Sequence, residues 1–311
     1  MSPLALRISV LVTTYGRPRY LERCVQSLLD QTRQPDEIVL VTRAGDTETE
    51  QFVSGILSRD LGVPIRHGQV SKPGVLAANG IGLGLVTGNI VAFLDDDAAA
   101  RPDWVARIAR WFSDNPRLGA VGGRDVIHTD KGVQQKPTRT VGRISWYGRI
   151  VGNHEKVFHG FAPAEHLKGV NMSFRRELIG PFDENIVGNA HHYETDLCFG
   201  VRKRGFDILF DGDLVVDHYQ DAPRHLSGNQ AGADEQREFF IHRNRVYVMM
   251  KNLGTARRGA FLVYTFVVDA GSDLGEVILH KPGIDGRIWR AMMRGKVAGL
   301  RAFFEARSQK V

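Results

Sequence analysis

Cysteine is scarce. The 311-residue chain has two, Cys24 and Cys198, far apart and in no CxxC pair. That excludes a disulfide scaffold and a cysteine zinc site, and it fits a reducing compartment. Long apolar runs are missing as well: the longest beyond the N-terminal region, GAFLVYTFVV at 259–268, is too short to cross a bilayer. The opening MSPLALRISVLVTTYG has no basic leader and no small-residue cleavage pattern. It reads as a buried strand, and a cytoplasmic location is expected. There is no internal repeat, and no basic stretch interleaved with aromatics of the kind that grips nucleic acid. Two nucleotide signatures are also absent. GIGLG at 80–84 is not GxGxxG and does not follow the first strand, which argues against a dinucleotide-dependent oxidoreductase. TTYGRPRY at 13–20 has one glycine and no lysine, too little to grip the triphosphate of a nucleotidyltransferase substrate.

What is present is the composition of a soluble protein with a substantial core: 42% hydrophobic and 24% charged residues. The net charge of +6 and pI near 9.4 suit an anionic partner such as a sugar phosphate, a nucleotide or an acidic membrane surface, or simply a basic protein. Up to residue 123 the pattern alternates. Strands are expected at 7–14, 36–42, 63–67 and 89–94, and helices at 17–31, 47–62, 73–88 and 101–112. This is the rhythm of an α/β fold with an open parallel sheet and helices on both faces. Residues 124–165 show no clear period and read as a long loop. A strand and short helix at 166–178, a helix at 193–206 and strands within 207–219 follow. From about 223 the chain reads as helical, through 234–253 and two further amphipathic stretches.

The segment VAFLDDDAAARPDWV places Asp95, Asp96 and Asp97 at the end of a buried strand, where open parallel sheets bind ligands. Like charges this close repel. A strand running through FLDDD would point Asp95 and Asp97 to one side and Asp96 to the other. Two carboxylates with open positions suit Mg²⁺ or Mn²⁺. The alternative is a cluster capping the following helix, a need that Asp103 already meets.

ISVLVTTYGRPRYLERCVQSLLDQT, PGVLAANGIGLGLVTGNIVAFLDDD, GVNMSFRREL and YETDLCFGVRKRGF, in that order, resemble the successive motifs of family 2 glycosyltransferases of the GT-A fold. The resemblance covers roughly 7–220. It implies a catalytic domain over 1–222, with a nucleotide-sugar half to about 123 and an acceptor half from about 124, followed by a helical extension over 223–311. It also implies a nucleoside-diphosphate-sugar donor, a divalent cation and inversion at the anomeric carbon. By this resemblance Asp97 is the direct metal ligand, with Asp95 or Asp96 binding the ribose or ligating through water. His218, at the end of a strand, is a further candidate ligand or a structural histidine. Inversion needs a base for the acceptor hydroxyl. In YETDL the family's usual Asp falls on Glu194, with Asp196 as the second candidate, and both acids also suit a helix N-terminus.

In TTYG, Thr13 and Thr14 offer polar contacts to the nucleotide, Tyr15 a surface for the base, and Arg17 a partner for phosphate. The acidic residue usual after the second strand is missing. Arg43 stands there, which argues against a uridine donor and makes it a candidate for another base or for phosphate. Gly169 and Asn171 are expected on the acceptor side. The acceptor class is a glycan, a polysaccharide or a lipid-linked sugar. A catalytically inactive nucleotide- or glycan-binding module is the alternative, given glutamate in place of aspartate at 194. The tail carries Arg257, Arg258, Arg287, Arg290, Arg294, Lys296 and Arg301 beside apolar stripes. These suit an anionic membrane surface, a homodimer contact or packing on the catalytic domain.

Overall fold

The structure is a computed structural model, and it describes residues 6–129, 132–133, 135–219, 233–279 and 285–309. The chain forms two units. One comprises Met1–Arg143, Gly152–Pro181 and Leu197–Leu226; the other comprises Ile144–Val151, Phe182–Asp196 and Ser227–Val311. The boundary expected at 222/223 lies outside the described residues.

The first unit begins with β1 (Ile8–Thr14), α1 (Pro18–Leu29), β2 (Glu37–Arg43), α2 (Thr47–Leu57), β3 (Ile65–Val70), α3 (Val75–Leu85) and β4 (Ile90–Leu94). β1 and β4 are wholly or almost wholly buried, as their unbroken apolar runs require of central parallel strands. α1 starts with Pro18 in its first turn and turns Leu21, Cys24, Val25 and Leu28 inward. Next come β5 (Ala98–Ala100), α4 (Trp104–Asp114), β6 (Leu118–Thr129) and β7 (Gly132–Val133). After the short β8 (Arg143–Ile144) and β9 (Ile150–Val151) follow β10 (Phe161–Pro163), β11 (Asn171–Arg175), α5 (Tyr193–Lys203) and β12 (Asp207–Tyr219). The main sheet runs β10-β12-β6-β11-β4-β1-β2-β3. β3, β2, β1 and β4 are mutually parallel, β11 lies antiparallel between β4 and β6, and β12 is parallel to β6.

Two expectations are corrected here. β4 ends at Leu94, so the acid triplet is not strand but a tight turn, closed by the Ala98 amide donating to the Asp95 carbonyl at 3.1 Å. β5 then separates it from α4, so it caps no helix. The segment 124–165 is not one loop. β6 runs unbroken through Gly123 and Arg124 to Thr129, and β7 to β10 also fall in it. Charged and glycine-rich residues hid these strands, whose regularity comes from pairing with neighbouring strands rather than from an apolar period.

In the second unit, β8 and β9 form a hairpin whose tip carries Trp146 and Tyr147. The helices are α6 (Ala233–Asn252), α7 (Thr255–Val263), a π-helical turn (Tyr264–Asp269), α8 (Ala270–Ile278) and α9 (Gly286–Ser308). Gly295 and Gly299 let α9 approach α6 closely: a Cβ at either position would lie 2.3 Å or 2.2 Å from an α6 carbonyl oxygen. Lys296 is fully buried and paired with Asp269 at 2.9 Å and Asp273 at 3.2 Å. Arg257 donates to the carbonyls of Ser145 and Trp146, and Arg258 to that of Met250. Arg287 pairs with Asp285 at 3.2 Å, so four of the seven tail cations serve internal contacts; a buried cation must be paired, and a capping guanidinium satisfies open carbonyls.

The Asp183 carboxylate accepts from Lys251 Nζ at 2.7 Å, Tyr247 Oη at 2.8 Å and the Asn185 amide at 2.9 Å. Burial alone would raise this carboxyl, but these donors bring it down to about 2. A folded-state value below the unfolded one gives stability that is present above about pH 4 and lost as pH falls through about 2. Asp183→Asn is expected to cost about 2 kcal/mol at neutral pH. That difference from the parent should shrink toward zero in urea titrations carried down from pH 4 to 2.

Candidate active site

Within the first unit the acid turn sits at the C-terminal end of β4, beside the end of β1, where the chain turns into α1. Gly16 makes this corner with φ of 65°, and its amide donates to Asp46 Oδ2 at 2.5 Å. Asp46 also accepts from the Thr49 amide at the start of α2. The carboxylate within VTRAGD is thus committed to backbone.

The three aspartates have different fates. Asp96 is 1% exposed; Thr14 Oγ1 donates to its Oδ2 at 2.7 Å and Arg17 meets its Oδ1 at 2.6 Å. Burial pushes its carboxyl up to about 7, against the pull of Arg17. Both Asp96 oxygens are engaged within the turn, one of them by Thr14. Asp97 receives the other side of Arg17 on Oδ2 at 2.7 Å. Its Oδ1 is buried, makes no hydrogen bond, and lies 3.4 Å from His218 Nε2. Burial would raise Asp97, but His218 and Arg17 hold it below the usual carboxylate range. Asp95 opens to solvent. Arg17, expected on a phosphate, is bound here to the carboxylates. The corner at Gly16 brings a cation to charges that would otherwise repel across a short turn.

His218 lies on β12, opposite Ala98 of β5, which delivers it to the acid turn. Its Nδ1 is 3.3 Å from Asp125 Oδ2, on neighbouring β6. Asp125 is fully buried and also paired with Lys168 Nζ at 2.5 Å. Burial alone would lower His218, yet carboxylates at both ring nitrogens push it up to about 9. Sequence reasoning missed Asp125 and Lys168. They stand 93 and 50 positions from His218, and no local pattern marks them.

One ligand atom each from Asp95, Asp97 and His218 lies within 4.8 Å of the others. Two carboxylate oxygens and an imidazole nitrogen form a donor set that fits a divalent cation, and the unsatisfied Asp97 Oδ1 points to the same use. An imidazole ligand must be neutral, so a cation and the His218 proton compete for one place. The Asp125 carboxylate behind Nδ1 is the outer partner that orients a ligating histidine.

At the neighbouring strand ends, Tyr15 is 40% exposed and Arg43 lies over its ring at 4.9 Å. Thr13 precedes them at the end of β1, half-buried. Asn171, expected on the acceptor side, is 1% exposed. It accepts from Trp104 Nε1 at 2.9 Å and donates to the carbonyls of Leu214 and Arg124. Gly169 is buried in the turn before it. Asn171 begins β11, which runs in the middle of the sheet.

In the second unit, Glu194 and Asp196 occupy the first turn of α5. Asp196 is committed: its oxygens accept from Lys251 Nζ and Asn252 Nδ2, each at 2.7 Å. Glu194 is half-buried.

The sheet order and the acid turn at its C-terminal edge define the GT-A architecture of glycosyltransferases, and solved structures agree. TarS 1–349 of S. aureus, in complex with UDP-GlcNAc, aligns with a TM-score of 0.62 at 15% identity, over 96% of this chain and 82% of that one. The mannosyltransferase PcManGT of Pyrobaculum calidifontis, in complex with GDP-Man and Mn²⁺, aligns at 0.57 and 17%, over 96% and 87%. In sequence, residues 9–180 match the model of glycosyl transferase family 2, and the chain belongs to that family: it is a glycosyltransferase. It is 29% identical over 229 residues to a glucosyl-dolichyl phosphate glucuronosyltransferase of Haloferax volcanii, covering 68% of this chain and 69% of the relative. It is 32% identical over 135 residues to an uncharacterised glycosyltransferase of Nostoc sp., covering 43% and 42%.

Asp125→Asn keeps the shape and removes the charge behind His218. It is expected to weaken Mn²⁺ binding, read by calorimetry, by about 10- to 100-fold. Unchanged affinity would separate Asp125 from the metal site.

Proposed function

We propose that this glycosyltransferase moves a sugar from a nucleoside-diphosphate-sugar donor to an acceptor hydroxyl, with inversion at the anomeric carbon. The observation that carries this reading is the buried, unsatisfied Asp97 Oδ1 converging with Asp95 and His218, in a member of this family. Asp95, Asp97 and His218 would hold Mg²⁺ or Mn²⁺. The imidazole favours Mn²⁺, since Mg²⁺ demands a regular shell of oxygens. The ion supplies Lewis-acid stabilisation of the negative charge that grows on the departing diphosphate.

The chain's own residues do the rest. Tyr15, with Arg43 over its ring, offers a face for the nucleotide base, and Thr13 a polar neighbour. The acceptor oxygen attacks the anomeric carbon from the face opposite the leaving diphosphate, and its proton passes to Glu194. Glu194 is preferred because the family's usual Asp falls on it in YETDL, while Asp196 accepts from Lys251 and Asn252. The Haloferax relative is named for transfer to glucosyl-dolichyl phosphate, which supports a lipid-linked sugar as the acceptor.

Two substitutions separate these roles. Asp97→Asn should abolish Mn²⁺-dependent donor binding in calorimetry, and unaltered affinity would remove Asp97 from the metal site. Glu194→Gln should keep donor affinity and cut turnover by roughly 10²–10⁴-fold. Near-normal turnover would move the base elsewhere. A chain that binds donor but neither transfers nor hydrolyses it with Mn²⁺ would be a binding module.

A further inference from the structure

Membrane-seeking surfaces combine exposed apolar side chains, aromatic residues at the rim and cations nearby. The second unit holds all three. Along α7, the π-helical turn and α8, the outward residues include Val263, Val267, Val268, Leu274, Ile278 and Leu279; Val267, Ile278 and Leu279 are 65%, 66% and 70% exposed. Two of the three acids of this stretch are bound to cations of the same unit. Asp269 is bound to Arg245 and buried Lys296, Asp273 to Lys296, and Glu276 is half-buried. The hairpin tip lies against the same helices: the Tyr147 ring is 4.9 Å from that of Tyr264, and Arg257 holds the Trp146 carbonyl. Trp146 itself is 64% exposed, and Arg149 on the same tip is exposed.

Charge identifies the occupant. Residues 227–311 hold 14 Lys and Arg against 8 Asp and Glu, so this segment carries the entire +6 of the chain. On α9, which packs against α8, Arg290, Arg294, Val297, Arg301 and Phe304 recur at spacings of three and four and are all exposed. A protein partner would accept an apolar face without this excess of one sign; anionic headgroups complement both. No described helix is long and apolar enough to span a membrane, so the surface is one for lying on a bilayer.

We infer that the second unit docks on an anionic lipid bilayer, inserting Trp146, Tyr147 and the outward valines, leucines and isoleucine of α7–α8, with the α9 arginines drawing it to the headgroups. This inference rests on the second unit alone, so its failure leaves the donor chemistry untouched. It would place the enzyme where a lipid-linked acceptor resides.

The test is flotation of the full chain with phosphatidylcholine vesicles, with and without phosphatidylglycerol, at low and high salt. Binding is expected only with phosphatidylglycerol, and it should fall as salt rises. Arg290→Glu with Arg294→Glu should weaken it by about tenfold or more. Val267→Glu with Ile278→Glu should abolish it, and Trp146→Ser on the exposed hairpin gives an independent check should the helix variant misfold. Donor affinity should be unchanged in all three. Absence of flotation under any condition overturns the inference, as does flotation indifferent to the apolar substitutions. A dimer in sedimentation that Val267→Glu with Ile278→Glu dissociates would also overturn it, assigning the face to a second copy.

Discussion

Three carboxylates in one tight turn cannot stand without cations, and the site is organised around that demand. The answer is a line of alternating charge: Lys168, Asp125, His218, Asp97, Arg17 and Asp96, each 2.5–3.4 Å from the next. Such a line is stable while every member keeps its neighbours and costly if one is removed, because an unpaired buried charge remains. Two of its oxygens, Asp97 Oδ1 and Asp125 Oδ1, are buried and make no hydrogen bond. Asp95, Asp97 and His218 would hold a divalent cation, for which the imidazole would have to be neutral.

The fold places this line by topology. The chain leaves β1 through Gly16 into α1, and the same corner sets Arg17 against the end of β4. β5 turns back to pair with β12 and brings Ala98 opposite His218. β12 runs parallel to β6, which supplies Asp125. The carboxyl edge of a parallel sheet is where strands end and loops diverge, and so where polar side chains from several elements can meet.

The second unit has a different character. Its acids bind its own cations: Asp183 and Asp196 share Lys251, and Asp269 and Asp273 share Lys296. What it exposes includes the apolar residues of α7–α8 and the arginines of α9, alongside Glu184, Asp285 and Glu305.

The sequence by itself determined the strand–helix rhythm through α4, the acid turn at a strand end, the membership of family 2 and the candidacy of Asp97, His218 and Glu194. These are local properties: a period of 2 or 3.6, a run of like charge, a motif in order. Tertiary structure decided what the polar side chains meet. Asp96, Thr14 and Asn171 are buried and hydrogen-bonded within the fold, which no local pattern shows. Asp125 and Lys168 look like ordinary charges and stand behind the metal candidate. The reason is strand register. His218 finds Asp125 on the adjacent strand, 93 residues away, and a slip of one residue would turn it to the opposite face.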